Sequence, residues 1–401
     1  MPVPLISPTG GTPALIDSAG ALSDAADALA SGRGPIAIDT ERASGYRYDE
    51  RAFLVQLRRR DTGTILIDPE GRRAELREAL APVLNSAGWV IHAAPSDLPC
   101  LARLGLYPAD LFDTELAGRL AGIHRVNLAA MVEDILGFTL SKGHGQEDWS
   151  TRPLPAEWLD YAALDVELLN ELAEAMAEIL DAAGKLDWAV QEFQHIRRTH
   201  GPSTPVEPAT WTQAKGVNGL NRPEQRAVVR ELWLERDRIA RQRDCAVHRI
   251  LKTRTMIEIA RRLPGSSGDL ATISGFPRRD ERARTRWMSV IDKARRSPRA
   301  TWPEPPRHDS DHVPGRSALA SYPEVKESLS RAREVLSEVS GEVEVPVENI
   351  LAPATLRAVV WHTVETGRIR STGQLVDHLQ ALEARPWQVE LTVPVLAREL
   401  L

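Results

Sequence analysis

Over the first two hundred residues, short apolar runs alternate with longer stretches of helical spacing. Ile36-Ala37-Ile38, Phe53-Leu54-Val55-Gln56-Leu57, Ile65-Leu66-Ile67 and Trp89-Val90-Ile91 are rich in β-branched and aromatic residues and bounded by polar turns. They predict strands at Pro35–Asp39, Phe53–Arg58, Thr64–Asp68 and Trp89–His92. Apolar residues spaced three and four apart predict helices at Leu22–Ala30, Ala74–Asn85, Ser96–Leu104, Asp113–Leu120, Asn127–Leu136 and Pro155–Ala183. The last of these stops at Gly184, where glycine can take the positive φ of a helix end. Three strands close together, then one among helices, predict a mixed sheet flanked by helices.

Beyond residue 200 the pattern is helical. A long charged helix is predicted from Pro223 to about Asp244. A later one carries Trp287, Val290, Ile291 and Ala294 at i, i+3, i+4 and i+7 as its buried stripe. Arg278, Arg279, Arg282, Arg284, Arg286, Lys293, Arg295 and Arg296 occupy or flank its other faces. Residues 318–401 are helical again. Pro-rich breaks at Gly201–Thr210 and Trp302–Gly315 separate the segments. His308, Asp309, Asp311 and His312 in the second break read as linker polarity rather than a metal site. The fold class expected is therefore α/β plus all-α: a sheet domain over 1–200 and two small helical bundles over 211–300 and 318–401.

Charge sharpens this division. The net −6 of the 401 residues is the sum of −12 over the first 200, +11 over 201–300 and −5 over 301–400. An acidic domain beside a basic one suits a site that needs cations and a polyanionic substrate that needs an anchor. No apolar run is long enough to span a bilayer, so no membrane is expected as a partner. The N-terminal stretch lacks a basic region followed by an apolar core. Cys100 and Cys245 stand far apart, which argues against a disulfide framework or zinc site and for a cytoplasmic protein.

Candidate chemistry lies in three acidic motifs. In Ile36-Ala37-Ile38-Asp39-Thr40-Glu41, a side-chain period of two sends Asp39 and Glu41 to one side of the sheet. Asp97 closes the run that begins at Trp89. Tyr161 and Asp165 are four apart and share a helix face. Carboxylates gathered in this way resist ionisation unless a cation neutralises them. Hard divalent ions prefer such oxygen donors, and a pair of them can drive in-line phosphodiester hydrolysis.

At these residues the chain resembles the DEDD 3′→5′ exonucleases whose third motif carries tyrosine, and within them the ribonuclease D family. The resemblance covers roughly residues 12–200. It implies a ribonuclease H-like fold, with Asp39, Glu41, Asp97 and Asp165 as ligands of two divalent cations, Mg2+ or Mn2+. Tyr161 would orient the attacking water. It further implies RNA with a free 3′ end as substrate, tRNA precursors or other small structured RNAs among them; a monomer is expected. The segment Ser141-Lys142-Gly143-His144-Gly145 looks like the corresponding family segment, with Lys142 a candidate phosphate contact. His144 and Trp149 read first as structural. Gln56 is a candidate for lining the substrate groove or a core-edge polar residue. Ala260-Arg261-Arg262-Leu263-Pro264-Gly265 and Leu270-Ala271-Thr272-Ile273-Ser274-Gly275 resemble the helical (HRDC) domain shared by RecQ-type helicases and ribonuclease D. There Arg282, Arg286 and Arg295 are candidate RNA contacts. Residues 318–401 resemble a second, diverged copy. A DNA 3′→5′ exonuclease and a non-catalytic RNA-binding scaffold remain as alternatives.

Overall fold

The computed structural model describes residues 2–141, 143–204, 208–277, 279–305, 313–315 and 318–401. Lys142, Arg278 and the 308–312 histidine and aspartate group lie outside the described residues. The chain divides into two units. One comprises Met1–Arg42, Ala52–Pro205 and Ser310–Leu401, and the other Ala43–Arg51 with Val206–Asp309.

The first unit holds the sheet. Along the chain come β1 (Val3–Leu5), β2 (Leu15–Ile16), α1 (Ala19–Ser31), β3 (Arg33–Arg42), β4 (Ala52–Arg60) and β5 (Gly63–Ile67). Next are α2 (Arg73–Leu84), β6 (Gly88–Ile91), α3 (Leu98–Arg103), β7 (Asp110–Asp113), α4 (Thr114–Leu120), α5 (Leu128–Met131) and β8 (Phe138–Leu140). The helices α6 (Ala156–Glu167), α7 (Leu169–Ala182) and α8 (Leu186–Thr199) follow. Six strands form a mixed sheet in the order β2-β5-β4-β3-β6-β7, and β1 pairs with β8 apart from it. β3 runs antiparallel to β4 and parallel to β6. Helices cover both faces, so Ile36, Ala37 and Ile38 are all fully buried. That accounts for a continuous apolar run in place of an alternating one.

The four expected strands are present, and the mixed sheet with flanking helices is the predicted class. Differences have local causes. β3 continues through Arg42, so Asp39 and Glu41 lie inside the strand. β7 escapes the pattern because it has four residues and its last, Asp113, also caps α4 by accepting from the Glu115 and Leu116 amides. The predicted helix over 155–183 breaks at Leu168, whose φ of −115° and ψ of 14° leave the helical region without any proline or glycine to announce it. Gly184 does take a positive φ, of 67°, and α8, absent from the sequence reading, follows it.

The C-terminal residues belong to this same unit. They form α14 (Pro323–Val343), α15 (Val347–Ile350), α16 (Pro353–Val360), α17 (Thr372–Ala381) and α18 (Pro386–Leu400), which follow the five helices of the second unit along the chain. α18 packs on α8. Trp387 stacks on Trp188 with ring centroids 5.0 Å apart, and its Nε1 donates to Glu192 Oε1 at 2.8 Å. Arg385 Nε donates to the same oxygen at 2.7 Å, so the buried Glu192 charge has a cationic partner.

The second unit is a helical bundle of α9 (Pro223–Arg243), α10 (Val247–Ile250), α11 (Thr253–Arg262), α12 (Ser267–Thr272) and α13 (Glu281–Arg296). Its core gathers Leu232, Ile239, Met256, Ile259, Trp287 and Ile291. The buried stripe of α13 runs through Ala283, Trp287, Met288, Ile291 and Ala294, while Val290 lies half-buried at its margin. Residues 43–51 are part of this unit: Arg51 grips Asp244 through two bonds of 3.0 and 2.8 Å, and the Tyr48 hydroxyl donates to Asp237 at 2.7 Å. The two bundles follow one element plan. Each opens on a 21-residue helix that ends at a left-handed residue, Asp244 or Glu344, followed by a four-residue helix.

Candidate active site

β3 supplies Asp39 and Glu41 on one sheet face, and α6 packs against that face to deliver Tyr161 and Asp165. Among the described residues, carboxylate oxygens of Asp39, Glu41 and Asp165 all lie within 4.8 Å of one another. Glu41 is buried, whereas Asp39 and Asp165 are half-buried and keep an edge toward solvent. Burial, then the charges of Asp97, Asp165 and Glu41, push Asp39 well above the usual carboxylate range. Glu41 is raised by burial, Asp165 and Asp97, against the opposing charge of Arg42. Asp165 is pushed up to about 7, first by burial and then by Asp97, although the Tyr161 hydroxyl pulls it down.

Asp97 stands apart from this triplet. Its Oδ1 accepts from Thr40 Oγ1 at 2.6 Å and its Oδ2 from Ser96 Oγ at 2.7 Å. Burial raises it too, while those two hydroxyls and Arg42 lower it. Arg42 also donates to the Ser96 carbonyl. The donor set is four carboxylates with no thiolate or imidazole among them, and they crowd at a cost that a positive ion would remove. That chemistry fits hard divalent cations. Cys100, beside Thr40 at 3.1 Å, is pushed up to about 12 by burial and stays a thiol.

Burial and the nearby charges of Asp165, Glu41 and Asp39 raise the Tyr161 phenol above its ordinary range, so it keeps its proton and can donate. His144 meets its ring edge-on at 5.8 Å. Trp149 is fully buried, packs on Trp158 and donates Nε1 to the His144 carbonyl, which is the capping role its position suggests. His92 is held by burial at about 4, with Nδ1 2.9 Å from Thr114 Oγ1, and is a structural histidine.

The five motif residues thus converge. The candidate RNA contacts fare differently. Gln56 lies opposite Asp39 in the β3–β4 register but is fully buried, so it cannot line a groove; neither carboxamide atom has a partner among the described residues. Arg282 is exposed. Arg295 is tied to Glu224 at 3.0 Å, and Arg286 bears electrostatically on Glu235. Sequence reasoning missed Thr40, Ser96 and Arg42. Each is adjacent to a motif acid, and that adjacency was the available signal.

Comparison with known proteins agrees with this geometry. Residues 13–181 match the "3'-5' exonuclease" family model, residues 225–290 the "HRDC domain" model and residues 314–400 the "3' to 5' exonuclease C-terminal domain" model. The ribonuclease D of Acidiphilium cryptum is 30% identical over 308 residues, 75% of this chain and 77% of that protein. That of Bartonella henselae is 30% identical over 59% of this chain, and the match spans 58% of the relative's length. A solved protein from Bifidobacterium adolescentis superposes with a TM-score of 0.83 at 33% identity over 100% of both chains. Escherichia coli RNase D shares the fold at a TM-score of 0.71 and 24% identity, covering 92% of this chain and 99% of that one.

Proposed function

The chain belongs to the ribonuclease D family of 3′→5′ exoribonucleases, and from that premise we propose that it releases nucleoside 5′-monophosphates from RNA 3′ ends by two-metal hydrolysis at the β3–α6 carboxylates. The observation that carries this reading is the approach of the Asp39, Glu41 and Asp165 oxygens to within 4.8 Å of one another. Unpaired, three such charges repel, so the arrangement suits a cation-loaded state. When bound, a pair of Mg2+ or Mn2+ ions would supply the positive charge that acidifies a water and neutralises the departing oxygen.

The chain's own groups do the rest. Asp39, Glu41 and Asp165 hold one side of the site. Asp97, clamped by Thr40 and Ser96, would support a cation on the other. Tyr161 keeps its proton and orients the attacking water in line with the scissile bond, so no side-chain general base near neutrality is needed. The basic helical bundle anchors the RNA body by phosphate neutralisation. The second, acidic bundle descends from the same plan and serves the nuclease domain by packing. We take the substrates to be tRNA precursors and other small structured RNAs, processed in the cytoplasm by a monomer.

The test is hydrolysis of matched labelled RNA and DNA oligomers in Mn2+ and Mg2+ by the wild type and by Asp39→Ala. RNA shortened from its 3′ end by the wild type alone is expected. Retained turnover in Asp39→Ala would refute the site, and equal or better cleavage of DNA would refute the RNA assignment.

A further inference from the structure

The turn between β6 and α3, which delivers Asp97, has an unusual backbone. β6 ends at Ile91, and Ala93 two residues later has φ 60° and ψ 53°. A left-handed conformation is strained for any residue with a Cβ and persists only where the surroundings enforce it. The enforcing group comes from the neighbouring strand. Ile91 pairs in register with Asp113, the last residue of β7, which is 1% exposed. Asp113 Oδ1 accepts from the Ala93 amide at 3.0 Å, and Oδ2 from the Ala94 amide at 2.9 Å. Oδ1 also accepts from Glu115 and Leu116 at 3.0 and 3.2 Å, capping α4. Thr114 adds its hydroxyl to His92 in the same turn.

From the gripped amides the geometry leads directly to the site. The Ala93 carbonyl accepts from both the amide and the hydroxyl of Ser96, each at 2.9 Å. The Ala94 carbonyl accepts from the Asp97 amide at 3.1 Å. Ser96 Oγ then donates to Asp97 Oδ2. Asp97 therefore takes its position from a turn whose strained residue is clamped by one buried carboxylate. Only an ionised aspartate presents two acceptor oxygens to four N–H groups at this reach. Asparagine would offer an amide nitrogen to one set of donors, and serine or threonine a single oxygen.

We propose that Asp113 is a positioning residue of the exonuclease site: its carboxylate holds the left-handed Ala93 turn and so fixes Asp97 where it supports a metal ion. This rests on the reading of Asp97 as a metal-supporting ligand. Groups bonded directly to a ligand typically change metal affinity or activity by ~10–100-fold when lost, and Asp113, acting through the Ala93 and Ala94 peptides, belongs at the low end of that range.

The experiment measures the rate on a 5′-labelled oligoadenylate as a function of Mn2+ concentration, with thermal unfolding in parallel, for full-length variants. Asp113→Asn is expected to raise the Mn2+ concentration for half-maximal rate by ~10-fold, and to lower the unfolding temperature because its amide nitrogen meets the buried Ala94 N–H donor to donor. Adding Ala93→Gly gives the turn a residue that adopts positive φ without strain. The double variant should recover most of the metal response while its unfolding temperature recovers only in part, because glycine at 93 relieves the strain of the turn but leaves the amide nitrogen against the Ala94 N–H. A structural defect alone would not separate in this way. Ala93→Val, with Asp113 and the cap intact, carries the test if Asp113→Asn does not fold. A β-branched residue is disfavoured in the left-handed region, so the Mn2+ requirement should rise. A wild-type Mn2+ curve for Asp113→Asn or Ala93→Val, or no recovery in the double variant, overturns the proposal. Asp97→Ala is the reference: if it keeps full turnover, the reading of Asp97 falls and the proposal with it. If it is inactive while Asp113→Asn matches the wild type, only the role of Asp113 is refuted.

Discussion

Replacing Asp165 with asparagine separates what the site costs the fold from what it gives the reaction. The substitution is nearly isosteric, keeps a hydrogen-bonding group facing Tyr161, and removes one negative charge. Asp165 is pushed from 3.8 to about 7, chiefly by burial. A carboxylate whose folded pKa lies above its unfolded one binds protons preferentially in the native state. Native stability is then lost as pH rises between the two values, and the loss is complete above about 7. At 1.36 kcal/mol per unit the ceiling is ~4 kcal/mol; the solvent-facing edge of Asp165 and its sharing of protons with neighbouring acids reduce this to about 1–3 kcal/mol. Metal-free Asp165→Asn should therefore be more stable than the wild type near pH 8 by that amount, with the gap closing toward pH 4. Excess Mn2+ should reverse the order by stabilising the wild type more. The assay is urea unfolding followed by tryptophan fluorescence, in EDTA and then in Mn2+, at several pH values. A less stable asparagine variant at pH 8 without metal, or a gap that does not change with pH, would refute the claim that the fold holds the Asp165 carboxylate against its burial and the charge of Asp97.

Further expectations test the neighbouring parts. Tyr161→Phe removes a donor but no carboxylate, so turnover should fall by ~10²–10³-fold while the Mn2+ dependence stays put; a parallel shift in metal requirement would make Tyr161 a ligand-shell residue instead. Trp387→Ala empties a fully buried position stacked on Trp188 and should destabilise the first unit by ~3–5 kcal/mol, read as a lowered unfolding temperature. A change under about 1 kcal/mol would mean α18 is not needed to cover α8. For RNA binding, Arg282→Ala should reduce the slope of log affinity against log salt by about 0.7, the value for one phosphate contact on a single strand. Arg295→Ala should change it less because its guanidinium already pairs with Glu224; the opposite ranking would move the RNA path along α13.

Much of this was legible in the chain because side-chain period and motif spacing are local properties. Asp39 and Glu41 share a strand face, and Tyr161 and Asp165 a helix face, by geometry that two residues and four residues dictate. That these two faces meet was carried by resemblance, since nothing local brings residue 165 to residue 39. The spacing marks Asp113 as a helix start, and it caps α4. Its second role depends on β7 lying beside β6, a long-range pairing that a four-residue strand does not advertise. Gln56 illustrates the reverse: a polar residue in an apolar strand suggests exposure, yet helix packing buries it completely. The break at Leu168 had no signal at all, because the backbone there departs from helix in response to packing and not to a breaker residue.

The Trp188–Trp387 stack also sets a timetable. The two rings are separated by roughly 200 residues of chain, and a ribosome adding ~5–20 residues per second takes ~10–40 s to bridge that gap. Throughout that interval the nuclease helices have emerged with an uncovered indole, and the Glu192 carboxylate lacks both the arginine and the tryptophan that later satisfy it. The finished surface of α8 therefore forms only when α18 is made, after the entire basic bundle has been synthesised. The Trp387 ring and the Arg385 guanidinium reach α8 together, on the same helix turn, so the stack and the neutralisation of Glu192 are completed in one step.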